Sequence, residues 1–394
     1  MISFQMKRCR GAQCHRVAKT LMETFHLDVL LQSWLDGFDY LYNVSYEGNC
    51  CEGGDVCDLD EGTAFESVFI PVLYSVAFVV GVLGNAVLLG VLARTRSTWS
   101  VTDTFILHLG VADVLLLVTL PLWAAQSAQE KGWTFGLRLC QITGTIYTVN
   151  FYCGIFLLAC ISIDRYLSIV HATQMYSRKK SWVVHASCFV VWFVSVLLSI
   201  PDWIFLEDVE DKARGIKIMC IRNYSKIGAD AVYQWRLASR QLYHVVGFLL
   251  PSAILVFCYS CILWQLRCGT QGLQKQKAFR VIMAVVVVFF LCWTPYNITL
   301  MVDTLHWNSS NETCGVRTSL QVALTVTSSL GYLHCSLNPI LYAFVGVKFR
   351  RQLLHILSSL GCKLKTSATF QSAVSTRRSS LWSESENSSR SIAI

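Results

Sequence analysis

Long apolar segments alternate with short polar ones along most of the chain. Seven such segments run over 66–93, 102–126, 139–169, 181–204, 240–266, 277–304 and 317–345. About 20 apolar residues are needed to cross a bilayer as a helix, and every segment meets that length. The pattern therefore predicts an all-α membrane protein, with a bundle of seven transmembrane helices over 66–346.

An N-terminal arm, residues 1–65, precedes the predicted bundle. Its first 21 residues are basic, and the charge reverses at Met22, after which eleven Asp or Glu and no Lys or Arg occur up to Glu66. Residues 1–21 lack the apolar core of a cleavable signal peptide, so the first span must direct insertion. Met1 and Met22 both stay open as the start, with 1–21 as an upstream extension in the second case.

Two regions follow the predicted bundle. Residues 347–360 place Phe349, Leu353 and Ile356 at helical spacing beside basic side chains, which predicts an amphipathic helix on the membrane surface. Residues 361–394 are rich in Ser and Thr and poor in apolar residues, so we expect a disordered cytoplasmic tail.

Composition and charge agree with this topology. Of the 394 residues, 54% are hydrophobic and 15% are charged, which is too apolar for an ordinary soluble domain. Lys and Arg cluster in every second connection, as cytoplasmic loops do, and the acidic arm then lies outside a multi-pass plasma-membrane protein. The net charge of +8 reflects basic cytoplasmic loops, which lie against anionic lipid and cytosolic partners. The sequence has no concentrated basic patch with interleaved aromatic residues that would indicate binding of nucleic acid.

Several positions are predicted to be modified. Glycosylation sequons on the outer side begin at Asn43, Asn223, Asn308 and Asn311. Cys362, just beyond the amphipathic helix, is a candidate for palmitoylation. Candidate phosphorylation sites in the tail are Ser379, Ser380, Ser383 and Ser385.

The outer cysteines are expected to form disulfides, which persist outside the cytosol. Cys140, just outside the third span, is the natural partner of Cys220 in the long connection 205–239. Cys57, shortly before the first span, is placed to pair with Cys314 before the seventh. The adjacent pair at 50 and 51 stays open: these cysteines pair with each other, remain free or compete with Cys57.

Polar or helix-breaking residues recur inside the spans in a fixed order. They are Gly84-Asn85, Asp113, Asp164-Arg165-Tyr166, Trp192, Pro251 with Tyr259, Trp293 with Pro295, and Asn338-Pro339 with Tyr342. Proline removes a helical hydrogen bond, so the three prolines in the last three spans are expected hinges. Taken together, this set resembles the rhodopsin-like G-protein-coupled receptors across about residues 66–360.

The resemblance implies a switch between an outer ligand and a cytosolic G protein. The residues that would carry it are Asp164, Arg165, Tyr166, Trp293, Pro295, Asn338, Pro339 and Tyr342. Asp164 is expected to hold Arg165 until the sixth span swings at Pro295. The resemblance also implies a polar network of Asn85, Asp113 and Asn338 around an allosteric sodium ion, whereas the alternative for Asp113 is a neutral, hydrogen-bonded structural acid. No other cofactor is expected, and no cysteine pattern indicates a metal centre.

A narrower set of motifs resembles the chemokine receptors, in particular those for CXC chemokines. The set comprises Asp164 to Ala172, Thr119-Leu120-Pro121 with Trp123, Trp133 with Phe135-Gly136, and His334 to Pro339. The resemblance implies interferon-induced CXC chemokines as ligands and a pocket bordered by Trp123, Tyr147, Asp202, Tyr296, Asp303, Ser328 and Tyr332. Many chemokine receptors carry a Glu where Ser328 stands, so Asp202 and Asp303 are expected to supply most of the negative charge for the ligand amine.

The acidic arm fits a basic ligand. Tyr40, Tyr42 and Tyr46 lie among acidic residues, a setting that suits tyrosine sulfation, and attraction of opposite charges speeds capture. The alternative is an arm that is acidic only to stay solvated.

Three classes of function compete at this point. The first is a chemokine receptor that couples to inhibitory-class heterotrimeric G proteins and drives calcium signalling and leukocyte chemotaxis. The second is a decoy receptor that internalises chemokine without signalling, which the intact Asp164-Arg165-Tyr166 motif disfavours. The third is a pump or a membrane hydrolase. A retinal pump would need a lysine in the last span, and 317–345 contains none. A membrane hydrolase would need clustered inward acids and histidines, which Asp113 lacks around it, so an enzyme is not expected.

Overall fold

The computed structural model describes residues 60–171, 180–211, 217–227, 231–268, 273–306 and 314–345. Seven helical spans, α1 to α7, make up most of this part of the chain, and each coincides with one of the predicted apolar segments. Their bounds are α1 Asp60–Arg94, α2 Val101–Leu117 continued by Leu120–Ala128, α3 Gly136–Tyr166, α4 Lys180–Leu198 continued by Ile200–Phe205, α5 Val232–Gln241 continued by Leu242–Leu249 and Leu250–Cys268, α6 Leu273–His306 and α7 Cys314–Val345.

Six helices in the described part, those of α1 to α6, are long and apolar enough to cross a membrane. The helix α7 has 32 residues but carries many Ser and Thr side chains, which lower its hydropathy. Large apolar side chains on the outside of the bundle stay exposed, as with Trp182 at 78% and Phe189 at 71%. A chain that leaves such side chains on its surface is suited to a lipid solvent.

Local sequence explains where the helices start and break. The first turn of α2 is closed by a capping box in which Ser100 and Asp103 satisfy each other's backbone N–H groups. The second parts of α2 and α4 each begin with a proline in the first turn, Pro121 and Pro201, where its missing N–H costs nothing. The middle part of α5, Leu242–Leu249, is a π-helix, a form often found at functional sites.

A β-hairpin is attached to the end of the bundle at which α3 begins. Strand β1, Leu206–Asp211, pairs antiparallel with β2, Lys217–Arg222, so that Asp208 lies opposite Cys220. A disulfide joins Cys220 to Cys140 at the start of α3, which confirms the predicted pairing. The connection predicted over 205–239 thus contains a hairpin and the first turns of α5, which the sequence pattern did not indicate. We call the end of the bundle with this disulfide the outer end, since disulfides persist outside the cytosol.

Candidate functional site

The core of the candidate site is a chain of aromatic rings in the outer half of the bundle. The ring centroid of Tyr147 on α3 lies 4.7 Å from that of Tyr332 on α7 and 5.7 Å from that of Trp293 on α6. Tyr74 of α1 extends the chain, 4.9 Å from Tyr332. Trp293 is fully buried and contacts Phe289, one turn further inward, at 6.0 Å. The structure therefore brings Tyr147, Tyr332 and Trp293 together.

Trp123 belongs to a neighbouring group. Its ring packs on Trp133, 5.4 Å away, and Trp133 is buried with Leu206 and the disulfide Cys140–Cys220. Trp123 thus supports the hairpin.

The two acids expected to attract the ligand amine are both paired with arginines. Asp202 at the end of α4 accepts from Arg222 of β2. Asp303 near the outer end of α6 accepts from Arg240 at 2.5 Å and lies 3.5 Å from Arg236, both on α5. Desolvation by burial disfavours the charge of Arg222, but the carboxylate of Asp202 and the nearby Tyr296 and Tyr224 together outweigh it, and the pKa of Arg222 is raised well above its usual value. Each acid therefore links two elements at the pocket wall.

The hairpin is also fixed by a glutamine that the sequence did not single out as a site residue. The side chain of Gln126 on α2 is buried, and its Oε1 accepts a 2.9 Å hydrogen bond from the backbone N–H of Cys220. A carboxylate here could make the same bond, but the amide does so without adding charge to the pocket.

A further acid lies on α1, at the outer end of the pocket. Glu66 is buried, and its Oε1 accepts a 2.6 Å hydrogen bond from the hydroxyl of Thr325 on α7. Ser328, one turn along α7, donates to the carbonyl of Thr325 at 3.1 Å. The sequence signal for Glu66 was available, because it is an acid at the very start of an apolar span.

At the inner end, Arg165 is held between two spans. Its Nη2 lies 3.1 Å from Oδ2 of Asp164 and also donates to the hydroxyl of Thr102 on α2. Tyr166 packs on Phe257 of α5, with 5.5 Å between ring centroids. Ser168 donates to the carbonyl of Arg165 at 3.0 Å and so caps the backbone of the same turn. Asp164 and Arg165 are together as expected, and Thr102 is the partner that sequence reasoning missed.

A buried polar cluster lies below Trp293. The carboxylate of Asp113 accepts from Asn338 of α7 at 2.7 Å and from Asn150 of α3 at 3.2 Å. Asn85 of α1 donates to the carbonyl of Cys335 at 3.0 Å. Asp113 and Asn338 thus bond directly, whereas the structure gives Asn85 a bond to the backbone of α7 and adds Asn150 to the predicted set.

Other predicted residues lie outside the described ranges or have side chains that the structure does not describe. They are Tyr40, Tyr42, Tyr46, Asn43, Cys57, Asn308, Asn311, Cys314, Cys362, Ser379, Ser380, Ser383 and Ser385. The amphipathic helix and the tail also lie outside, so their domain bounds remain predictions. Of the four predicted glycosylation sites only Asn223 lies in the described ranges, and its side-chain amide donates to Glu207 at 2.7 Å.

Comparison with known proteins gives one consistent result. Residues 84–342 match the family described as 7 transmembrane receptor (rhodopsin family). The chain is 43% identical to C-X-C chemokine receptor type 3 of Homo sapiens over 92% of this chain and 95% of the relative, and 45% identical to that of Capra hircus over 90% and 93%. It is 42% identical to C-X-C chemokine receptor type 5 of Homo sapiens over 84% and 88%.

Proposed function

Because this chain belongs to the rhodopsin family of seven-transmembrane receptors, and within it to the C-X-C chemokine receptors, we propose that it binds interferon-induced CXC chemokines and activates inhibitory-class heterotrimeric G proteins. It is a multi-pass plasma-membrane receptor and not an enzyme. Calcium signalling and leukocyte chemotaxis are the proposed outputs.

One observation carries the signalling half of this proposal. A continuous column of buried rings leads from Tyr147 in the outer pocket through Trp293 to Phe289 in the middle of the bundle. Pro295 interrupts the backbone hydrogen bonds of α6 close to this column. Pressure on Trp293 can therefore rotate α6, and the inner end offers Arg165, held by Asp164 and Thr102, as the group to be released.

The ligand half rests on the relatives and on charge. Similarity to type 3 receptors extends over 90% or more of the chain. Since Asp202 and Asp303 are occupied by arginines, a ligand amine that enters the pocket has to compete with these pairs. We propose that the acidic arm, with sulfated Tyr40, Tyr42 and Tyr46, makes the first contact with the basic chemokine.

Two experiments test these halves. In cells expressing the chain, a panel of purified CXC chemokines should include one that suppresses cyclic AMP in a pertussis-toxin-sensitive manner. Uptake of labelled chemokine without any G-protein response would instead support the decoy function. Changing Tyr40, Tyr42 and Tyr46 together to Phe should weaken binding at physiological salt, and unchanged affinity would refute the capture role of the arm.

Regulation after activation is proposed for the cytoplasmic tail. Receptor kinases would phosphorylate Ser379, Ser380, Ser383 and Ser385, and arrestin would bind the product. Receptor in which these four serines are alanine should recruit less arrestin on stimulation while its cyclic AMP response persists.

A further inference from the structure

The cluster around Asp113 combines oxygen atoms with a ring nitrogen and a thiol. A hard cation is held by oxygen atoms, whereas imidazole and thiol groups suit softer transition metals. Both carboxylate oxygens of Asp113 accept from amides, of Asn338 and Asn150, and each oxygen keeps a second lone pair that can bind a cation. On α3, Gly154 contributes no hydroxyl, and a Cβ built there would meet only Leu109 and Phe289, each at 3.8 Å.

Two adjacent residues of α7 change the chemistry of this cluster. One ligand atom each of Asp113, His334 and Cys335 can be chosen so that all three lie within 4.8 Å of one another. The three residues are 1%, 1% and 0% exposed. Carboxylate, ring nitrogen and sulfur are together the ligand types of zinc.

His334 provides an independent reason to expect a ligand. Both of its ring nitrogens are buried and have no hydrogen-bond partner in the described part of the chain. Its ring stands edge-on to Phe289, with 5.2 Å between centroids, which fixes its plane without satisfying either nitrogen. Buried polar atoms usually have a partner, and beside a carboxylate and a thiol a bound cation would supply one to this imidazole.

The neighbouring amides point the same way. Oδ1 of Asn85 and Oδ1 of Asn338 are also buried without a partner in the described ranges. Oδ1 of Asn150 accepts from the thiol of Cys335 at 3.6 Å. The cluster therefore holds an excess of acceptors, and one of these oxygens could complete a fourfold coordination.

We propose that Asp113, His334 and Cys335 form a site for a soft divalent metal ion of the zinc class, which ties α2 to α7 in the resting bundle. Ligand atoms around a tetrahedral zinc lie about 3.5 Å apart, given bond lengths of about 2.0–2.3 Å. The widest separation among the three atoms would have to shorten by about 1 Å when the metal binds. Cys335 binds as thiolate, and its proton leaves to solvent as the metal enters.

Cobalt(II), which takes the place of zinc in such sites and absorbs visibly, gives the sharpest test. Purified full-length receptor in nanodiscs is stripped of metal and titrated with Co²⁺ and with Zn²⁺ at constant sodium. We expect one equivalent of metal, a thiolate-to-cobalt charge-transfer band in the near ultraviolet, and a higher thermal midpoint with Zn²⁺. These readouts are independent of chemokine and of G protein, so they can fail while the proposed function stands.

Variants assign the ligands. Cys335→Ser should remove the charge-transfer band, and His334→Ala should weaken zinc binding by about tenfold or more. Cys258→Ser, which changes another buried cysteine, on α5, should keep the band and the affinity. If one ligand variant does not fold, the other one decides the question by comparison with Cys258→Ser, because a chain with 17 cysteines does not reveal from the band alone which thiol binds.

Other outcomes would overturn the proposal. Stabilisation by sodium with no stabilisation by zinc would make the cluster a hard-cation site. Absence of an effect from either ion would leave Asp113 as a neutral structural acid. Equal zinc binding by the unaltered receptor and both ligand variants would place the metal elsewhere.

Discussion

The hold on Arg165 at the inner end of the bundle can be tested by removing one acceptor at a time. Asp164→Asn keeps the shape of the side chain and removes its charge, and Thr102→Val keeps the shape of the other partner and removes its hydroxyl. We expect both changes to raise ligand-independent nucleotide exchange, Asp164→Asn more than Thr102→Val, because the first also loses a full charge. Ser168→Ala is the matched control, since its hydroxyl bonds the carbonyl of Arg165 and not the guanidinium.

The size of the effect follows from the contacts. A hydrogen bond to a charged group contributes about 1.5–3 kcal/mol, which corresponds to a shift of about 10- to 150-fold in the equilibrium between held and released Arg165. Oδ1 of Asp164 is buried without a partner in the described residues, so neutralising this carboxylate removes a desolvation cost as well. We therefore expect Asp164→Asn to change the free energy of unfolding less than it changes the switch. Because the two acceptors share one guanidinium, the double variant should not be additive.

The assay is basal exchange on a purified inhibitory-class heterotrimer by receptor in nanodiscs, together with the distance between spin labels at the inner ends of α3 and α6. The label distance reports opening even if the G-protein class is a different one. Unchanged basal exchange and an unchanged distance distribution in Asp164→Asn and Thr102→Val would refute the reasoning. If basal exchange rose as much in Ser168→Ala as in Asp164→Asn, the conformation of this turn, and not the contacts of the Arg165 guanidinium, would control activation.

Three further predictions follow from single contacts. Arg165→Ala should abolish nucleotide exchange and leave the Kd of a labelled chemokine unchanged; normal exchange would remove Arg165 from the mechanism. Gly331→Ala would bring a Cβ within 2.9 Å of the ring of Trp293; such overpacking costs about 1–3 kcal/mol and should lower the thermal midpoint and change the basal exchange, while an unaltered midpoint would mean that the ring yields freely. Gln126→Ala should expose the backbone N–H of Cys220 and speed its hydrogen exchange by about 5- to 150-fold, since an unsatisfied buried donor costs about 1–3 kcal/mol; Gln126→Glu keeps the acceptor and should restore protection, and equal exchange in all three proteins would count against the bond.

Much of the fold was predictable because membrane helices must be long and apolar. The seven segments coincide with α1 to α7, and the disulfide between Cys140 and Cys220 followed from their placement on the outer side. The sequence motif also placed Asp164 beside Arg165, because the two residues are adjacent in the chain. These are the features that local sequence determines.

The pairing of the pocket acids was not predictable, because it depends on residues far apart in sequence. Asp303 meets Arg240 across 63 residues, and the arginine is only the first residue of the apolar segment predicted over 240–266. The hairpin was missed because β1 is strongly acidic and lacks the alternation of a half-buried strand. Asn150 was missed because nothing in the periodicity of α3 distinguishes it from its neighbours, although it bonds Asp113 across 37 residues.

The attachment of the hairpin determines which part of the pocket rim can yield. At Cys220, β2 is joined to α3 by the disulfide and to α2 by Gln126, and its Ile218 pairs with the backbone at Gly132, between those two helices. Because these three attachments lie within residues 218 to 220, we expect α2, α3 and the hairpin to move together as one rigid body while a ligand binds and leaves. A chemokine tail that enters or leaves must therefore displace the opposite side, α5 and α6, whose outer ends are joined mainly by the arginines that contact Asp303, with one hydrogen bond from Arg240 to Thr304. Residence time of the ligand, more than its affinity, should then depend on salt concentration.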